Sequence, residues 1–174
     1  MNEFILNILS DKSIKAKDKT PILGKMILDD SSMIDTMVSI AQNSKDPIKG
    51  TLIEAMEYAT QQQPEVVNTN CFHFIIEHLE SKAPRVKWES AKVIGNTARL
   101  FPKLLPEAVE KLIVNTNHEG TVVRWSAAFA LSEILKTKSG LNKDLIPTVQ
   151  NICEREEKDS IKKIYLKALK SIGA

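Results

Sequence analysis

Two tryptophans stand 37 residues apart, each directly after a basic residue: Trp88 in "RVKWESAKVIGNTA" and Trp125 in "VVRWSAAFALSEIL". An indole beside a cation can do one of two things: anchor a partner through its large face and N–H, or fill a gap in a core. At about 100° per residue along a helix, Phe129 and Lys136 fall on the side of Trp125, and Lys92 and Arg99 on the side of Trp88. Lys163 holds the corresponding place in the segment that follows. Trp88, Lys92, Arg99, Trp125, Phe129, Lys136 and Lys163 therefore form a candidate aromatic and basic patch. Whether the two indoles meet solvent or pack between neighbouring segments is open at this level.

Other side chains with chemical potential are scattered. His73, His78 and His118 form no HExxH and no metal-ligand pair on one helical face, and Cys71-Phe72-His73 is a lone CxH of the kind that packs in a core. Cys71 and Cys153 sit inside apolar patterns without metal-type spacing and read as buried thiols of a reducing compartment. There is no GxSxG and no P-loop. Glu54 and Glu57 could do acid–base work, but solvated carboxylates are common. These observations point to a non-enzymatic protein, with no catalytic residue, metal or cofactor called for.

The elements that position the patch emerge from a repeat. An aliphatic residue followed by a basic one recurs at Ile14-Lys15, Ile48-Lys49, Val86-Lys87, Val123-Arg124 and Ile161-Lys162, at intervals of 34, 38, 37 and 38. Each pair opens a segment of helical period, as in Val123, Ala127, Ala130, Leu131 and Ile134, or Val86, Ser90, Ile94 and Thr97. Other amphipathic stretches lie between them, among them "SSMIDTMVSIAQ" and "EAVEKLIV". No sustained alternation or hairpin dipeptide signals a strand. Pro47 and Pro84 sit where second helices start, and Pro64, Pro102 and Gly140 mark the links.

This pattern resembles the HEAT and armadillo class of helical repeat, the HEAT form in particular: an apolar first helix, a turn often bearing Asp, then Val-Arg opening an alanine-rich second helix. "VVRWSAAFALSEIL" matches that second helix, and "LLPEAVEKLI" and "DLIPTVQNIC" share a proline as first helices of the family do. The resemblance spans the chain and is clearest over residues 83–174. It implies an all-α, right-handed α-solenoid of about five helical hairpins in one domain, 1–174, with repeats at about 1–30, 31–65, 66–102, 103–141 and 142–174. It also implies second helices on the concave side. The turn aspartate appears as Asp11, Asp46 and Asp159, but "SKAPRV" and "HEGTVV" lack it, so an Asp-to-Arg ladder between repeats is expected to be interrupted there. Thr20-Pro21 is expected to kink or restart the first repeat's second helix.

Two enzymatic branches of the class fail on residues. Hydroxylase-type His-Glu pairs are replaced by Trp88-Glu89 and Trp125-Ser126; glycosylase-type chemistry needs an aspartate that neither second helix carries. The resemblance therefore implies a scaffold that binds a protein or peptide segment on its concave face, with a nucleic-acid-binding protein related to HEAT-like DNA glycosylases as the runner-up.

Charge refines the partner. The chain is 43% hydrophobic and 26% charged with a net charge of +2, too balanced for unspecific nucleic-acid binding. Residues 1–65 carry seven basic and ten acidic groups, whereas residues 120–174 carry ten and six. An acidic protein or peptide suits the C-terminal half. No run approaches the roughly 18 apolar residues of a membrane span, and no signal peptide is evident at the start, so a cytoplasmic setting is expected. Phe4, Ile5, Ile8 and Leu9 form an apolar face through which the chain could self-associate.

Overall fold

The computed structural model describes residues 2–174, which fold into ten α-helices. In chain order these are α1 (Asn2–Ser10), α2 (Ala16–Asp29), α3 (Met33–Gln42), α4 (Asp46–Gln62), α5 (Thr69–His78), α6 (Pro84–Thr97), α7 (Leu105–Asn115), α8 (Thr121–Lys136), α9 (Asn142–Arg155) and α10 (Asp159–Ile172). Their boundaries follow local chemistry. Pro84 opens α6 and Pro47 is the second residue of α4, where a missing N–H costs nothing. The Asn68 side chain accepts the Cys71 N–H at 2.9 Å and caps α5. Gly173, at φ +81°, turns the end of α10 back so that the Ala174 N–H reaches the Leu169 carbonyl.

Odd and even helices pair into antiparallel hairpins, and the hairpins stack into an α-solenoid. The densest packing runs through the second helices, α2 on α4, α4 on α6, α6 on α8 and α8 on α10, while successive first helices meet sparsely. Crowding on one side and splaying on the other curve the stack, with the second helices on the inside. Val123, Ala127, Ala130, Leu131 and Ile134 are all buried, as are Val86, Ser90, Ile94 and Thr97. Cys71 and Cys153 are buried free thiols; burial pushes the Cys71 thiol up to about 12. No helix is long and apolar enough to cross a membrane among the described residues.

Several local expectations shift. Helix α2 runs unbroken through Pro21, which sits beyond the first turn and removes a single backbone bond. Pro106 is the second residue of α7, whereas Pro147 lies inside α9, which begins a turn earlier relative to its proline. The α1 face is split: Ile5 and Ile8 are buried, Leu9 is half-buried and Phe4 remains exposed.

Two of the five recurring basic residues, Lys87 and Arg124, tie hairpins together without the turn aspartate. Lys87 Nζ donates to Asn115 Oδ1 at 2.8 Å, and Arg124 Nε donates to Glu156 Oε2 at 3.0 Å, each reaching the turn of the following hairpin. In the fourth repeat, which lacks the aspartate, an amide is the acceptor; in the fifth, Glu156 is the acceptor although Asp159 is present. Burial alone would raise the Glu156 pKa; the Arg124 guanidinium and the Lys158 N–H outweigh it and hold the carboxyl below the ordinary glutamate value. The stability this gives is present above the unfolded glutamate pKa and is lost as pH falls through the folded one. Arg124→Ala should therefore cost about 2 kcal/mol near neutrality, a deficit that narrows as the medium is acidified; urea unfolding across pH measures it.

Candidate functional site

Helices α4, α6 and α8 present three adjoining surfaces along the concave face. On α8, one turn apart, Trp125 and Phe129 stack with ring centroids 6.0 Å apart and planes 6° from parallel. Trp125 is 40% exposed, an unusual state for the largest apolar side chain, whereas Phe129 is half-buried. Phe129 has a seat because Gly95 on α6 has no side chain: a Cβ there would lie 2.5 Å from Phe129 Cε1. Ser132 and Gly95 are both buried.

Beside Phe129 lies an open depression of about 410 Å³, lined by Gln61, Asn96, Arg99, Phe129, Glu133 and Lys136 among others. That is within the usual range for ligand pockets. Its cations are not idle: Arg99 pairs with Glu65, and Lys136 pairs with Glu133 one turn back on the same helix. Both pairs are substantially exposed, so each is held weakly and a competing carboxylate can displace it.

Trp88 and Lys92 belong to a different cluster. The Trp88 indole N–H donates to Glu89 Oε1 at 2.6 Å, and Lys92 Nζ lies 2.7 Å from Glu89 and 3.4 Å from Glu57. Glu89 and Glu57 are only 4% and 6% exposed. Burial raises the Glu89 pKa, with Lys92 partly offsetting it. Burial also pulls on Lys92, but the two carboxylates outweigh it and hold the ammonium above the ordinary lysine value. Two buried anions thus share one cation. Glu54 is likewise occupied, paired with Arg85 and accepting from the Thr20 hydroxyl.

The seven residues of the sequence patch are accordingly divided. Arg99, Phe129 and Lys136 converge on the depression, and Trp125, which does not line it, stacks on Phe129. Trp88 is half-buried and bound to Glu89, and Lys92 is locked between glutamates. Lys163 stands exposed on α10 without an ion pair among the described residues. The acidic half of each cluster was missed because Glu65, Glu89 and Glu133 carry no motif; only their three- or four-residue helical spacing to a cation, for Glu89 and Glu133, signals the pairing. His78 Nδ1 lies 2.7 Å from the Phe74 carbonyl and its pKa is lowered by burial, while His118 Nδ1 accepts the Gly120 N–H. Both imidazoles serve local turns.

Lys92→Met should lower stability by about 3 kcal/mol by stranding Glu57 and Glu89. The loss should be greater at pH 8 than at pH 5, because the buried Glu89 carboxyl, whose pKa is raised by burial, destabilises the fold as pH rises through it. Thermal melts at the two pH values read this directly.

No family model and no curated protein matches the sequence. Solved structures do match in shape. An engineered protein superposes with a TM-score of 0.75 at 17% identity, covering 99% of this chain and 47% of its own, so the chain spans about half that protein's length. A designed armadillo repeat protein in complex with the peptide (KR)4 gives a TM-score of 0.68 at 15% identity over 96% of this chain and 80% of its own. The complex of CpcE and CpcF of phycocyanin lyase from Nostoc sp. PCC7120 gives 0.53 at 15% identity, over 86% and 96%. At such identities likeness speaks for fold alone, and with the hairpin stack described above it identifies the chain as a helical-repeat solenoid of the armadillo and HEAT-like type.

Proposed function

We propose that this protein is a non-enzymatic interaction scaffold whose concave face binds a segment of a partner protein, centred on the depression between α6 and α8. The observation that carries this is the exposed Trp125 indole stacked on the half-buried Phe129, which lines that depression. A rigid aromatic pair partly left in water beside a cavity is the anchor a binding hot spot needs. Arg99 and Lys136, held by weak exposed pairs, would exchange Glu65 and Glu133 for carboxylates of the partner, and Lys163 would extend the contact toward α10. The partner segment is therefore acidic with an apolar or aromatic anchor. The solved relatives of this shape support protein or peptide partners: one is a peptide complex and another a complex of two protein subunits. We read residues 1–174 as one repeat domain acting in the cytoplasm.

Nucleic acid is the weaker partner. Phosphate binding draws on a large excess of cations, and the net charge of this chain is only +2.

Selection from a phage-displayed peptide library, followed by titration of the synthetic peptides, tests the proposal. Acidic peptides with an aromatic or aliphatic anchor should emerge, and Trp125→Ala should weaken them at least about tenfold while moving the melting temperature by less than about 2 °C. Trp88 is unsuited to this role in the test, since its removal frees the buried Glu89 oxygen. Unchanged affinity in Trp125→Ala would sink the idea, as would salt-sensitive binding of duplex DNA in place of peptides.

A further inference from the structure

Among the described residues α10 is the last second helix, and it repeats the pattern of the interior ones with one flank in solvent. Four residues after the last four recurring basic residues stand Ile53, Ala91, Ala128 and Leu166, while the irregular first repeat has Lys19 there. The first three are 0%, 1% and 0% exposed, because each lies where its second helix meets the next; Leu166 is 54% exposed. Of the recurring basic residues, Lys87 and Arg124 reach acceptors in the following hairpin, at Asn115 and Glu156, whereas Lys162, like Lys15 and Lys49, forms no ion pair among the described residues. Beneath Leu166 is a groove of about 630 Å³, lined by Cys153, Lys162, Leu166, Leu169 and Lys170 with Glu154 at one side. On the flank of Leu166 toward the concave face, Lys163, Lys167 and Lys170 are exposed without ion pairs among the described residues.

We propose that this face is a second docking surface, separate from the concave groove, and that its occupant is an acidic amphipathic helix of a partner protein. The helix continues the stack: an apolar residue covers Leu166, and a carboxylate meets Lys162 as Glu156 meets Arg124. Charge selects this occupant over a second copy of the chain. Two such faces brought together would set lysine against lysine. Residues 1–30, the opposite end of the stack, hold five acidic and five basic side chains and offer no excess of negative charge.

The probe is a fluorescein-labelled, hydrocarbon-stapled helix with a leucine stripe flanked by glutamates, compared with the same helix carrying lysines instead. Fluorescence anisotropy should show the acidic helix bound to the wild-type protein, with affinity falling as salt is added. Leu166→Glu should weaken it at least about tenfold, and Lys162→Glu should weaken it too, while Trp125→Ala leaves it unchanged. Leu166 is exposed, so circular dichroism and melting of Leu166→Glu should match the wild type. The proposal is overturned if the acidic helix does not bind, if the lysine helix binds equally, or if Trp125→Ala rather than Leu166→Glu removes binding. It is also overturned if sedimentation shows the protein alone associating through Leu166.

Discussion

Everything in this molecule hangs on the lateral packing of one second helix against the next. A hairpin of two short helices cannot bury its own apolar face, so each depends on its neighbours. The chain meets this need by placing Ile53, Ala91 and Ala128 at the contact, with alanine at two of the three so that α6, α8 and α10 approach closely. Longer residues such as Met56, Ile94 and Leu131 fill the space behind. Side chains crossing between hairpins, Lys87 to Asn115 and Arg124 to Glu156, fix the register of that stack.

From this constraint the surface chemistry follows. Close approach of the second helices brings Gly95 under Phe129, which supports Phe129 and the Trp125 indole stacked on it. The same closeness draws Glu57 on α4 and Glu89 on α6 toward the single Lys92, giving a buried cluster that serves the scaffold. What the stack leaves in solvent is Trp125 on the half-buried Phe129, two weakly held cations, and one flank of α10. The acidic cluster and the aromatic patch are neighbours with different work to do.

Charge illustrates the limit of counting. The C-terminal third carries an excess of basic residues, and several of them looked available along one helical stripe. In three dimensions Lys92, Arg99 and Lys136 each find a carboxylate, two of them from within their own helix and all but Lys136 from a preceding helix or turn. On α10, Lys162, Lys163, Lys167 and Lys170 form no ion pair among the described residues.

The sequence by itself determined the helical hairpins and their stacking, because an aliphatic–basic pair recurring every 34 to 38 residues and a 3.6-residue apolar period are both written along the chain. It also assigned Val123, Ala127, Ala130, Leu131 and Ile134 to the core. It could not separate Trp88 from Trp125, since both occupy the same repeat position after a basic residue. Only the tertiary structure decided that one indole is tied to Glu89 and the other faces solvent over Phe129. The reason is physical: exposure and ion pairing on a solenoid are set by side chains from adjacent repeats, about 30 to 40 residues away in sequence, and a local period carries no information about them.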